Sequence, residues 1–427
     1  MRVHLAYGRS GLDVDIPDRN LAGVLSMPGA PPIADPAREV QQCLERPRGG
    51  KPLRELAAGK KSACIVVCDI TRPMPNDLLV PALLDALAGG GVARERITIL
   101  VATGLHRPSS PEELQQMLGD DILHSCRIVN HHARVLAEQK ALGRTPGGVP
   151  VYIDRAYCEA DLKITTGFIE PHLMAGFSGG RKLIAPGCAG EETIKALHSP
   201  RFIEHPRCRE GIIEGNPLHE ELLAIARMAG HDFILNVSLD ADRQITGVFA
   251  GDPVDAHMAG VAHVRNAVSA FVREPVDIVV TTSAGYPLDL TLYQSVKGLT
   301  AAAPILRKGG MLILAAACTE GLGSEEFAGM ATSYSSAEEF LASLQHHPVR
   351  IDQWQLEECA RIAQDAEIVL VSEGIPQGQR DRLFVRSASA VGAEVSSGIA
   401  RFGPQTTVAV IPKGPYTLVG IEPRRPG

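Results

Sequence analysis

A chain of 427 residues is longer than one compact core usually holds and predicts at least two domains. With 45% apolar and 21% charged residues, it has the ordinary balance of a soluble globular protein. A net charge of −7, a pI near 6.1 and the absence of any Lys/Arg run argue against nucleic-acid and anionic-membrane partners.

At the N-terminus, "MRVHLAYGRSGLDVDIP" contains no unbroken apolar run, so no secretory signal is expected. "ACIVVCD" (Ala63–Asp69) reads as a buried strand, and "NDLLVPALLDALAGGG" as a helix with Asn76 as its N-cap and a glycine stop. "ITILVATG" (Ile97–Gly104) is the next strand, and "PEELQQML" from Pro111 the next helix; "RIVNH" and "DLKITTG" continue the alternation. A long helical stretch is expected from Pro253 to Val272. A second series follows: "PVDIVVTT" as a strand, "LTLYQSVKGLTAAAPIL" as a helix, then strands at "GGMLILAAAC", "EIVLVSE" and "TTVAVIP".

Strands alternating with helices imply α/β domains with mainly parallel, helix-covered sheets. The expected division is residues 1–273, residues 274–412, and a tail over 413–427 whose "EPRRPG" end is frayed. No apolar run reaches the length of a membrane span. Nine cysteines, an odd number with no C-x-x-C pair, fit a reducing compartment and exclude a disulfide framework. Together these features predict a cytoplasmic protein.

Ligands of parallel sheets bind past the carboxyl ends of the strands. Three loops there carry polar groups: "DITRP", "ATGLHRP" and "TGFIEPH". His106 and His172 lie in the last two, where imidazoles could serve as a general acid/base pair; a lone histidine is more often structural, and position is what favours function here. Asp69, Ile70, Thr71 and Arg72 form the first loop, Arg72 offering a planar fork for a carboxylate or phosphate; the bland alternative is a surface Asp–Arg pair.

"FSGGRKLIAPG" is neither a Walker loop nor a dinucleotide fingerprint. It could be a tight turn with a solvated Arg–Lys pair. It could also be a backbone cradle, through Gly179 and Gly180, for an anion, with Lys182 as nucleophile or covalent anchor. His198, at the end of "EETIKAL", could ligate a metal, though one histidine suffices only if other donors come from a cofactor. In "LYQSVKGL", Gln294 and Lys297 share a helix face beside Tyr293, a substrate-binding set or a solvated face. Trp354, the single tryptophan, reads as packing.

In order and spacing, "DITRP", "TGLHRP", "EPHLMAGFSGGRKLIAPG", "ETIKALHS" and "YQSVKG" resemble the nickel-pincer lactate racemase family over most of the chain. The family pattern opens with two aspartates; Cys68 stands in place of the first. The resemblance implies two α/β domains with an active site in the cleft between them. It also implies a pyridinium bis-thiocarboxylate-type mononucleotide gripping nickel, supplied by cofactor-biosynthesis enzymes. By motif, Lys182 would be its covalent tether and His198 the nickel ligand, with Asp69, Ile70, Thr71, Arg72, Gly179 and Gly180 contacting the cofactor. His106 and His172 would be catalytic, and Arg72, Tyr293, Gln294 and Lys297 would hold the substrate.

The implied activity is racemisation of a lactate-like or malate-like 2-hydroxy acid by hydride abstraction and return at C2. The alternatives are C2 epimerisation of a longer hydroxy or sugar acid, a zinc-dependent hydrolase using the three histidines, and a non-catalytic cofactor-binding protein.

Overall fold

The computed structural model describes residues 1–240 and 242–422 and divides into two compact α/β units. The first comprises Gly29–His198 and His205–Asn266; the second comprises Met1–Pro28, Ser199–Glu204 and the chain from Ala267 onward.

The first unit is built on a six-stranded sheet in the order Ile245–Gly251, Phe233–Leu239, Leu162–Phe168, Ala63–Cys68, Ile97–Ala102, Arg127–Asn130. Only the Ile245–Gly251 edge strand is antiparallel to its neighbour. Every residue of Ala63–Cys68 is buried, as a strand covered by helices on both faces requires. Leu79, Val80, Leu83, Leu84 and Leu87 of the Asn76–Gly89 helix pack into that core at helical spacing. The expected Asn76 cap is not made: Pro75 occupies the cap position and no side chain caps the helix. Pro111–Ser125 begins with a complete capping box between Ser110 and Glu113.

The second unit carries a wholly parallel sheet, in the order Arg386–Ala388, Glu367–Val371, Leu306–Ala315, Val276–Thr282, Val408–Ile411, Leu21–Val24. Its edge strand comes from the N-terminus, pairing Leu21 with Val408 and Val24 with Val410. Residues 1–28 therefore lie with the second half of the chain, not with the rest of 1–273. The helix expected to reach Val272 is Asp255–Val268; Ser269–Val272 instead forms a strand parallel to Leu418–Ile421. Part of the expected tail is thus sheet, because Ser269–Val272 gives it a ladder; residues 423–427 of "EPRRPG" lie outside the described residues. No described helix is long and apolar enough to cross a membrane.

Within the second unit, Ser199–Glu204 packs the short Pro200–Ile203 helix on the Gln353–Asp365 helix. Phe202 and Ile203 are buried there, and Arg361 donates to the Ile203 carbonyl. Glu357 is wholly buried on this helix, and its carboxyl oxygens make no hydrogen bond among the described residues. Burial pushes its pKa up to about 7, with Glu204 adding to the rise and Gln353 and Arg361 opposing it only in part.

A carboxyl that ionises later in the folded than in the unfolded chain stabilises less as pH rises between the two values. This group is therefore expected to remove up to about 3 kcal/mol of stability between pH 4 and pH 8. Glu357→Gln should abolish that slope and be more stable than the parent at pH 8 in urea unfolding. Equal slopes in the two proteins would contradict the assignment.

Candidate functional site

In the first unit the chain runs from the central Ala63–Cys68 strand outward through Ile97–Ala102 and Arg127–Asn130. It then returns to Leu162–Phe168 on the other side of Ala63–Cys68. A parallel sheet opens a crevice at such a reversal, past the carboxyl ends of the two strands. Asp69–Arg72 follow one strand there, and Ile169–His172 follow the other.

Asp69 is 6% exposed at the end of its strand. One carboxyl oxygen accepts from the Thr71 hydroxyl at 2.5 Å, and the other lies 2.7 Å from His106 Nδ1. Burial pushes the Asp69 pKa up, but the bonds from His106 and Thr71 and the charge of Arg72 outweigh it and leave it lowered. An ionised Asp69 makes Nδ1 the donor and leaves Nε2 of His106 as the acceptor on a side chain 50% exposed. His106 is presented by a turn in which Gly104 takes φ +56° and donates to the Gly187 carbonyl. Ile70 packs on the apolar core beneath. Burial pushes the Cys68 thiol up to about 12, so it is a neutral neighbour where an aspartate would bring charge.

His172 sits in a two-residue strand, Pro171–His172, folded back on Gly176–Phe177. Its Nδ1 accepts from the Met174 and Ala175 amides at 3.3 and 3.1 Å, and its Nε2 lies 2.7 Å from Lys182 Nζ. Lys182 projects from a single 3-10 turn, Gly180–Leu183. Before it, Gly179 and Gly180 take φ +79° and +50°, where a side chain would be strained. A Cβ on Gly179 would also meet Asn236 Oδ1 at 2.8 Å.

Asn236 Oδ1 accepts from the Gly180 amide at 2.8 Å. Arg181 is not a solvated neighbour of Lys182 but a buried one, donating to the Ala175 carbonyl at 3.0 Å and lying 2.9 Å from His257 Nε2. Burial alone lowers its pKa to about 9. The far end of the loop is pinned by Asp154 N donating to the Cys188 carbonyl and by His131 Nε2 on the Ala189 carbonyl, both at 2.9 Å.

His198 ends the Glu191–Leu197 helix, its Nδ1 donating to the Ile194 carbonyl at 2.8 Å. Burial lowers its pKa to about 4; the backbone bond opposes this and Lys182 reinforces it. A neutral ring with Nδ1–H committed to a carbonyl leaves Nε2 as a metal-ligating lone pair. Among the described residues no three His, Cys, Asp or Glu side chains converge on a metal position.

In the second unit, Tyr293, Gln294 and Lys297 occupy the first turns of the Leu292–Ala302 helix, after the central Val276–Thr282 strand. Thr291 caps that helix on the Gln294 amide, and Lys297 Nζ donates to Gln294 Oε1 at 2.6 Å. Trp354, expected to pack, also donates from its indole nitrogen to the Tyr293 hydroxyl at 3.0 Å.

The structure thus groups Asp69, Thr71, Arg72 and His106, pairs His172 with Lys182, and places His198 near that lysine. Sequence reading missed Asn236, Arg181 and His257. Asn236 is a polar residue inside the apolar run "FILNVSL", a signal that could have marked it.

Residues 7–211 match the lactate racemase N-terminal domain family, and residues 272–419 the lactate racemase C-terminal domain family. A lactate racemase of Lactiplantibacillus plantarum is 37% identical over 424 residues, 98% of this chain and 99% of the relative. One of Thermoanaerobacterium thermosaccharolyticum is 34% identical over 422 residues, again 98% and 99%. The structure of the latter's apoprotein superposes with a TM-score of 0.92, covering 98% of this chain and 100% of that one. A Thermotoga maritima protein, 16% identical with a TM-score of 0.68 over 90% and 98% of the two chains, shares the fold. By both of its domains and nearly its whole length, this chain belongs to the lactate racemase family.

Proposed function

We propose that this protein racemises a lactate-like or malate-like 2-hydroxy acid, with His106 and His172 exchanging the hydroxyl proton on opposite faces of C2. The observation that carries the reading is the Asp69–His106 pair at the sheet reversal. A buried carboxylate bonded to Nδ1 fixes the tautomer and leaves Nε2 as a base. The hydrogen on C2 is too weakly acidic for imidazole to remove as a proton, so these side chains need a partner that accepts it as hydride.

The residues fit the nickel-pincer nucleotide that the family resemblance implies. Lys182 offers an amine on a turn fixed by Gly179 and Gly180, and His198 offers one neutral nitrogen donor where, among the described residues, no three His, Cys, Asp or Glu side chains converge. When bound, such a group supplies reversible hydride acceptance.

The chain's own tasks follow. Lys182 is the tether. Asp69, Ile70, Thr71, Arg72, Gly179 and Gly180 line the cofactor's place, and His198 Nε2 completes the metal's donors. Arg72, Tyr293, Gln294 and Lys297 hold the substrate carboxylate and hydroxyl oxygens. His106 takes the hydroxyl proton through Nε2 in one direction, and His172 serves the opposite face, the roles exchanging in reverse. The zinc-hydrolase alternative needs three converging donors, and His106, His172 and His198 do not form such a group.

The intact denatured mass of protein from a cofactor-producing host should carry an adduct of mononucleotide size, absent from Lys182→Ala. An unmodified parent mass would remove the tether. In racemisation assays followed by chiral chromatography, His106→Ala and His172→Ala should each lower kcat by roughly 10²- to 10⁴-fold. Parent-like rates in either variant would overturn its assignment.

A further inference from the structure

His172 and Lys182 sit on two short pieces of chain, a hairpin of two-residue strands and a single 3-10 turn, neither long enough to fix the other. The side chain that reaches both is Arg181, 1% exposed. Its Nη2 donates to the Ala175 carbonyl at 3.0 Å, and the amide of the same Ala175 donates to His172 Nδ1 at 3.1 Å. Its Nη1 donates to the Gly179 carbonyl at 3.4 Å, and that carbonyl also accepts from the Lys182 amide at 3.2 Å. One planar fork is thus a single residue removed from the imidazole on one side and from the lysine backbone on the other.

The hairpin and the turn have other anchors. Asn216 Nδ2 donates to the Met174 carbonyl at 2.8 Å, and the Gly211 amide to the Gly176 carbonyl at 2.9 Å. The Ser178 amide donates to the Glu170 carbonyl at 2.9 Å, and Asn236 Oδ1 holds the Gly180 amide. These tie each piece to the body of the unit without Arg181. The guanidinium itself is expensive where it lies: it is a cation taken out of water, and its Nε makes no hydrogen bond among the described residues. What it adds to the other anchors is the relation between the two pieces.

We propose that Arg181 is a positioning residue that sets the backbone of the His172 hairpin against the backbone of the Lys182 turn, and so the imidazole against the amine. Its use in catalysis rests on the roles read above for His172 and Lys182; the positioning is a property of the cofactor-free chain. Ala175 is wholly buried, so no water replaces the guanidinium at its carbonyl, and without Arg181 the hairpin shifts toward another donor. A misplacement of about 1 Å at a reacting group costs on the order of 10²-fold in rate.

The test compares the parent with Arg181→Met and Arg181→Lys. In cofactor-free protein with isotope-labelled histidine, NMR signals of the His172 ring nitrogens, identified by their loss in His172→Gln, should move or broaden in Arg181→Met. Those of His131, buried in the same unit between Asp154 and the Ala189 carbonyl, should stay. In protein from a cofactor-producing host, kcat per adduct-bearing molecule should fall ~10- to 10²-fold in Arg181→Met, with KM within about threefold of the parent. Arg181→Lys, which keeps the charge without the fork, should recover only part of that loss. A role in stability alone would lower the urea midpoint while His172 signals and kcat per adduct-bearing molecule stayed at parent values, and that result overturns the proposal. Failure of both variants to fold would make Arg181 structural and overturn it as well. A parent without the mass adduct would sink the tether reading, and the histidine signals would still decide this one.

Discussion

The first unit depends on one pairing: Ala63–Cys68 beside Leu162–Phe168, in parallel, with Ala63 opposite Leu162 and Val66 opposite Thr165. These strands are about a hundred residues apart in the chain, and the intervening chain leaves on one side of the pair and returns on the other. Because the pairing is parallel, both strands end at the same edge, so the chain emerging from each enters the same space. The loops that carry Asp69 and His172 leave the same sheet edge for that reason and no local one. A slip of one residue would turn every side chain of the buried strand to the opposite face and take the loop residues with it. The wholly apolar faces of Ala63–Cys68 resist such a slip through the core on both sides.

That geometry also sets neutral groups among the site's charges. Cys68 is a neutral thiol and His198 a neutral imidazole. Arg181 is a buried cation, and its position explains its tolerance. Its guanidinium ties the Ala175 and Gly179 carbonyls together beneath the turn that carries Lys182, while Asn236 holds the Gly180 amide from the other side. The turn is therefore fixed by buried side chains as well as by its own backbone, in which Lys182 N donates to the Gly179 carbonyl and Ile184 N to the Arg181 carbonyl. Asp69 spends its charge on His106 and Thr71.

Much of this was legible in the sequence. Runs such as "ACIVVC" and "ITILVA" are buried strands wherever they occur in an α/β pattern, and polar groups just past them belong to the strand-end crevice. That logic finds Asp69, His106 and His172 without any tertiary information. It fails where the signal is not local. Leu21–Val24 is four residues, too short for a pattern, and is a strand only because Val408–Ile411 offers it an open edge. Ser269–Val272 continues the helical composition before it and becomes a strand only because Leu418–Ile421 pairs with it. Arg181 reads as solvated beside a lysine and is buried because Ala175, Gly179 and His257 surround it. Nothing in "GGRKL" encodes that enclosure; it arises from strands and helices far along the chain.

The two candidate catalytic histidines are held in opposite senses, and the difference bears on how the site is completed. A carboxylate binds Nδ1 of His106, so that ring is already the tautomer with its lone pair on Nε2. Backbone amides bind Nδ1 of His172, which fixes the other tautomer. The cofactor-free chain is thus prepared for proton transfer on one side only. On the other, the ring serves Lys182, and it can serve a substrate only after it turns from the Met174 and Ala175 amides.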